Sequence, residues 1–231
     1  MTREEFLIQL PKLVKNYEPS PVALKRIANI TLFMVIGPSG VGKTSIIKAM
    51  NIPYVASDTT RPKRPEEIDG QDYFFRTDFD KLVYDIQHGG FVQVAVGPDG
   101  DFYGTRANSY PSFGMAVYAV VADVIPIFRE LGFEKTFSLY IVPPNTAEWM
   151  HRMKAHNLNP QDLEKRMAEA QRSLKFALSD VQTHFILNDV LDDAITQAND
   201  LIGSRVNRVR EEYAKQTADR LYKELTGTPK G

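Results

Sequence analysis

The chain of 231 residues contains no cysteine, which removes disulfides, thiolate nucleophiles, zinc ribbons and iron–sulfur clusters together. It has almost no excess charge either, with 28 lysines and arginines against 29 aspartates and glutamates. No overall field therefore draws it to nucleic acid or anionic lipid, and any anion it binds must be held by a local site. Long apolar runs are missing. The most apolar stretch, 114–128, falls short of a membrane span and is interrupted by Asp123. The opening MTREEFLIQLPKLVKNY is charged every few residues and lacks the apolar stretch of a secretory signal. Neither an internal repeat nor a low-complexity tract is present. With 43% hydrophobic and 25% charged residues, the composition is that of an ordered globular protein. A cytoplasmic protein, monomer or homodimer, with neither nucleic acid nor membrane as partner, is expected.

What is present divides the chain. Residues 1–29 read as a helical extension, with Phe6, Leu7, Leu10, Leu13, Val14 and Tyr17 at helical spacing. Pro11 is expected to break or restart that helix. A turn at Pro19–Pro21 and a short helical piece follow, and the whole reads as an arm packed on a domain edge. From Ile30 the run ITLFMVI is apolar and β-branched, as for a strand buried on both faces of a parallel sheet. Later strand candidates at 115–122, 136–142 and 184–188 are separated by helical patterns, which predicts βαβ units and a doubly wound sheet. The segment 56–108 differs, with short alternating pieces and turns at Asp69-Gly70 and Pro98-Asp99-Gly100, and reads as a small, mainly β insert. At the far end, 204–231 is expected to form a C-terminal helix packing back through Val206, Val209, Tyr213, Leu221 and Leu225.

Between the first strand and the helix SIIKAM lies Gly37-Pro38-Ser39-Gly40-Val41-Gly42-Lys43-Thr44, a full match to G-x-x-x-x-G-K-[ST] in the right context. Glycines let successive backbone N–H groups turn toward one phosphate, at the positive end of the following helix. Lys43 can then reach the β- and γ-phosphates of ATP, and the Thr44 hydroxyl can ligate Mg²⁺. This is a nucleotide site.

One element later runs SDTTRPKRPEEIDGQDYFF. Arg61 and Arg64 each precede a proline, so both are expected to project from a stiff, extended segment. Two guanidinium forks near Tyr73 make a clamp for a dianionic phosphate, although a solvated basic loop is an equally common meaning of RPKRP alone.

That second block resembles the guanylate kinase signature S-x-T-T-R-x-P-R-P-G-E-x-D-G-x-D-Y-x-F, departing at Glu66, where the family has glycine. Tyr103-Gly104-Thr105, Ile141-Val142-Pro143-Pro144, the EKRMAEAQ stretch and Ile186-Leu187-Asn188-Asp189 fall in the family's order. The resemblance runs from about 30 to 202. It implies an α/β fold, a three-layer P-loop architecture with a doubly wound parallel sheet. The implied core is 30–55, 109–143 and 169–203, with a nucleotide-monophosphate-binding insert at 56–108 and a helical lid at 144–168. By resemblance, Ser57, Arg61, Arg64, Tyr73 and Tyr103 hold the acceptor's phosphate, while Thr105 and Gln93 lie near its base. Arg152 and Arg166 match lid arginines that close on the transferring phosphoryl, and Asn188 matches a position beside the adenine. The implied reaction moves the γ-phosphoryl of ATP to GMP or dGMP with Mg²⁺. The acceptor phosphate already carries about −1.5 to −2 near neutrality and needs no general base.

Three departures bear on this. Gln93 stands where the family has a glutamate that accepts from guanine N1–H and N2–H, so guanine preference is expected to weaken, and an amide can pair with an adenine edge instead. A single strand-end acid, Asp123, is left to hold Mg²⁺ through water. His156 occupies the place of a second lid arginine. Two other readings stay open: a monophosphate kinase of altered base choice, and a binding module of the same fold without turnover, against which the intact Lys43 and Thr44 argue.

Overall fold

The computed structural model describes residues 1–65, 67–97, 99–154 and 160–227. Glu66, Pro98 and His156 lie outside the described residues.

The chain begins with α1 (Arg3–Lys15), whose Thr2 and Glu5 form a reciprocal capping box. Contrary to the expected break, the helix runs through Pro11. A proline inside a helix costs about 3 kcal/mol, but Phe6 and Leu10 are fully buried, and each contributes about 1.5–3 kcal/mol. Burial outweighs the lost hydrogen bond. Ser20 caps α2 (Pro21–Ile27), with proline at its first position.

Next come β1 (Ile30–Ile36), α3 (Lys43–Ala49), β2 (Ser57–Thr59), β3 (Tyr73–Phe75) and α4 (Phe79–Gln87). They are followed by β4 (Phe91–Val96), β5 (Phe102–Arg106), β6 (Gly114–Ala119), α5 (Ile125–Glu130) and β7 (Lys135–Val142). The chain continues through α6 (Thr146–Lys154), α7 (Pro160–Ser179), β8 (Thr183–Leu187), α8 (Leu191–Ile202) and α9 (Arg208–Thr226). One sheet has the order β6-β1-β7-β8, and its β7 and β8 pair in parallel, as a helical crossover between them requires. The other has the order β3-β2-β5-β4. The result is a mixed α/β P-loop fold. Among the described residues no helix is long and apolar enough to cross a membrane.

By contacts the chain forms two compact units. The first comprises Met1–Leu32, Pro53–Tyr118 and Pro126–Thr136. Its β3-β2-β5-β4 sheet turns one face onto α1 and α4, burying Phe6, Leu10, Leu82, Ile86, Phe91, Val94 and Phe102 together. The N-terminal helix thus supplies part of the hydrophobic core under the predicted insert. The second unit comprises Phe33–Ile52, Ala119–Ile125 and the chain from Phe137 onward. In it α3 packs with α8, and α9 packs against β8 and α7. Of the expected C-terminal stripe Leu221 is buried, but the rest of the inward face of α9 differs from it. Ala214, Thr217, Ala218 and Leu221 face inward, whereas Val206, Val209 and Tyr213 are exposed. Small residues let a helix approach its neighbours closely, so size rather than hydropathy chose this face.

Candidate functional site

In the second unit the buried end of β1, from Phe33 to Ile36, delivers the chain into the phosphate loop. Gly37 has φ +142°, and a Cβ there would lie 2.6 Å from the Ile141 carbonyl oxygen, so the turn must be glycine. Gly42, at φ +97°, caps α3; a Cβ on it would sit 2.5 Å from Asn188 Nδ2. That amide is fixed in place, because Asn188 is buried and its Nδ2 donates to Val41 O at 2.7 Å. Its side chain therefore braces the loop backbone from below.

Lys43 donates from Nζ to the carbonyl oxygens of Gly37 at 2.6 Å and Pro38 at 3.0 Å. Burial pushes its ammonium down to about 8, with Glu169 opposing that shift and Arg166 adding to it. Thr44 is exposed on the first turn of α3. Two helices reach Ser39: Trp149 of α6 donates its indole N–H to the Ser39 carbonyl at 2.8 Å, and Arg166 Nη1 of α7 donates to the Ser39 hydroxyl. Arg152 donates to Glu148 at 2.8 Å and to the Asn188 carbonyl at 3.0 Å. Asp123 sits exposed on a short 3₁₀ turn, Ala122–Val124. Pro38, Ser39, Gly40 and Val41 complete a loop in which Val41 donates back to the Pro38 carbonyl. A cationic cradle lined by backbone results, suited to a polyphosphate.

In the first unit the sheet face opposite the apolar core carries the other predicted residues. Strand register settles which ones. Gln93 lies opposite Thr105, Ala95 opposite Tyr103, Thr59 opposite Tyr103, and Ser57 opposite Tyr73. Paired residues share a face, so Ser57, Tyr73, Gln93, Tyr103 and Thr105 line one surface. A bulge between Phe91 and Gln93 makes this possible. Without it, a separation of two would put Gln93 on the same side as the core residue Phe91. Tyr17, from the N-terminal arm, holds the bulge. Its hydroxyl accepts from Phe91 N–H at 2.8 Å and donates to Phe91 O.

Arg61 lies across this face, with its guanidinium 5.1 Å from the Tyr73 ring centre and 5.7 Å from that of Phe75. It does not project freely as the sequence suggests. Nη1 and Nη2 donate to the Glu67 carboxylate at 3.0 and 2.7 Å, and Nε donates to Tyr103 Oη at 3.2 Å. Burial alone would lower the guanidinium's pKa, but the Glu67 and Tyr103 bonds more than offset it, so the charge is permanent. Burial likewise raises Glu67, and Arg61 with the Arg64 backbone N–H outweighs it, leaving the carboxylate below its ordinary value. Arg64 is not part of the same cluster of rings. Its side chain is half exposed, 3.9 Å from Glu67.

Tyr103 in turn donates to Asp99 at 2.9 Å, and Tyr110 donates to Thr105 Oγ1 at 2.9 Å. Ser57 is buried and hydrogen-bonded to the Tyr118 side chain. Gln93 is only 4% exposed, yet its Nε2 has no hydrogen-bond partner.

Glu67, Asp99, Tyr110, Tyr118 and Trp149 escape a reading of the sequence. Glu67 is hidden in the run Glu66-Glu67, which reads as solvated charge; Tyr118 and Trp149 act through pairings remote in the chain, while Asp99 and Tyr110 pair locally, across turns that carry no motif. On the apolar side, Asp58 accepts from Arg76 and Arg106, both at 2.7 Å through Nε, tying β2 to β5. Among the described residues no cluster of three or more histidine, aspartate or glutamate side chains is placed to hold a metal ion.

The family model for guanylate kinase matches residues 29–205. The chain is 35% identical to the guanylate kinase of Thermotoga maritima over 196 residues, which is 80% of this chain and 89% of that one. It is 29% identical to the guanylate kinase of Escherichia coli K12, across 84% of this chain and 97% of the relative. The solved structure of guanylate kinase from Anaplasma phagocytophilum aligns with a TM-score of 0.56 at 18% identity, covering 80% and 90% of the two chains, a likeness of fold.

Proposed function

The chain belongs to the guanylate kinase family, and from that premise we propose that it transfers the γ-phosphoryl group of ATP to GMP or dGMP, giving ADP and GDP. The observation that carries this reading is the intact phosphate loop, with Lys43 held against Gly37 and Pro38, on a chain that also bears the Arg61–Tyr73–Tyr103 cluster. One cradle suits a triphosphate and the other a monophosphate.

The chemistry is dominated by charge. Two anions repel, and the acceptor oxygen is already nucleophilic, so positioning and neutralisation supply the catalysis. In this proposal the N–H groups of 37–44 and the Lys43 ammonium hold the donor phosphates. Arg61, with Ser57, Arg64, Tyr73 and Tyr103, binds the acceptor phosphate, and Gln93 with Thr105 reads the base. Arg61 is suited to its part because Glu67 fixes the plane of the fork, which would otherwise lose rotamer freedom on binding. Arg152 and Arg166, anchored to Glu148 and Ser39, would stabilise the charge on the transferring group. Asn188 would act beside the donor's adenine through its hold on Val41. The lid at 144–168 would keep water from the γ-phosphoryl, since hydrolysis competes with transfer.

The residues present fit Mg²⁺. That ion keeps several waters and takes most ligands from substrate phosphates, so one exposed hydroxyl at Thr44 and a water-bridged Asp123 suffice without a protein cage. When bound, it would neutralise β- and γ-phosphate charge. A cytoplasmic setting is part of this proposal, and a chain without cysteine is compatible with it.

An ADP-release assay across GMP, dGMP, AMP, UMP and CMP tests the proposal. ATP-dependent turnover of GMP that is abolished by Lys43→Met is expected. Failure of every acceptor would refute it.

A further inference from the structure

Among the described residues two buried side-chain nitrogens have no hydrogen-bond partner, Arg26 Nε and the amide Nε2 of Gln93, and the second lies on the face that carries the predicted acceptor residues. A buried N–H₂ without an acceptor is costly, and few native side chains are left so. On the same face and directly across the β4–β5 ladder stands Thr105, with Cβ atoms about 5 Å apart in such a pair. Thr105 is fully buried, and its oxygen is committed to receiving the Tyr110 hydroxyl. Tyr110 is itself buried, and Thr105 is its one side-chain hydrogen-bond partner among the described residues, so Tyr110 must donate. This fixes the polarity of the chain: the Thr105 hydrogen is left to donate outward.

Two donors on paired residues of this face are thereby left without a protein acceptor, Gln93 Nε2–H and Thr105 Oγ1–H, and the Gln93 amide carries an acceptor oxygen beside its donor. Resting on the reading of this face as the acceptor-base site, we propose that the pair recognises the lactam edge of a 6-oxopurine, N1–H and O6, and is indifferent to the 2-amino group. The O6 atom has two lone pairs and takes both donors; N1–H donates to Gln93 Oε1. Guanine and hypoxanthine present this edge identically. Adenine does not, because its 6-amino hydrogens would confront the Thr105 hydrogen. Rotating the Gln93 amide relieves one clash and leaves the other, since Tyr110 holds Thr105 in its donor role. Nothing on the strands of this face is acidic: its positions are Ser57, Thr59, Tyr73, Phe75, Gln93, Ala95, Tyr103 and Thr105. None of these eight strand positions offers a carboxylate to a 2-amino group. The substrate class is accordingly 6-oxopurine nucleoside monophosphates, with inosine monophosphate included.

The test pairs binding with turnover. Calorimetric titration of the full chain with GMP, IMP and AMP is run beside the ADP-release assay, for the native protein and Gln93→Glu. The native chain should bind GMP and IMP within about threefold of each other, and AMP at least tenfold more weakly. Gln93→Glu should separate GMP from IMP by roughly tenfold to a hundredfold, the worth of a charge-assisted hydrogen bond to the 2-amino group. Thr105→Val should narrow the gap between IMP and AMP. A native preference for GMP over IMP beyond thirtyfold, or binding of AMP as tight as IMP, would overturn the inference. If GMP and IMP bind alike but no phosphoryl is transferred, the base reading stands and the kinase proposal falls. If neither binds, both fall.

Discussion

Above pH 8 the protein should lose its hold on ATP, and the loss should be accompanied by proton uptake. The cause is Lys43. Burial lowers its pKa to about 8 from an ordinary value near 10.5, so the unliganded ammonium is about nine-tenths protonated at pH 7, half at pH 8 and one-tenth at pH 9. A bound triphosphate favours the charged form, so binding at pH 8–9 must draw a proton onto Nζ. The apparent affinity should therefore fall about tenfold between pH 7 and pH 9, or about 1.4 kcal/mol. Net uptake should be about half a proton at pH 8 and nearly one at pH 9. Isothermal titration in two buffers of different ionisation enthalpy reads both quantities, and Lys43→Met should abolish the uptake. The sign for folding is the reverse. Between pH 8 and 10.5 the unfolded chain holds the proton that the native site gives up, so in that window the contribution of Lys43 to stability rises with pH. A flat affinity across pH 7–9 with no buffer dependence would show that the ammonium keeps its ordinary pKa, and the argument from burial would fail.

Two further outcomes follow from packing. Gly42→Ala forces a Cβ into a left-handed conformation against an amide already bonded to Val41. It should cost about 1–2 kcal/mol of stability from the backbone alone and weaken ATP, while GMP binding, measured separately by titration, stays unchanged. Phe6→Ala empties a fully buried position beside Phe79 and Phe102. It should lower stability in urea unfolding by about 3–5 kcal/mol, and a loss under 1 kcal/mol would mean that α1 does not belong to this core.

The parts of the molecule governed by neighbours in sequence were readable from it. β1 occupies Ile30–Ile36 as its apolar run predicts, and the phosphate loop follows because glycines, lysine and threonine act through adjacent backbone. The individual residues of the second cluster were also named, but their common face was not. It depends on pairing β2 with β5, more than forty positions apart, and on a one-residue bulge that no propensity signals. Arg61 looked free because its partner sits in a charged run; a charge run conceals a specific ion pair whenever the fold buries one of its members. The inward face of α9 was misjudged for a different reason. Ala214 and Ala218 carry little hydropathy, whereas Val209 and Tyr213, which carry more, stay in solvent.

The bond between Tyr17 and Phe91 makes a segment outside the family model's span part of the fold within it. The family model's match begins at residue 29, yet a tyrosine twelve positions earlier steadies the kink that turns Gln93 away from the oily layer. Removing residues 1–28 would strip the cover from Leu82, Ile86, Phe91, Val94 and Phe102 and free the strand that carries Gln93.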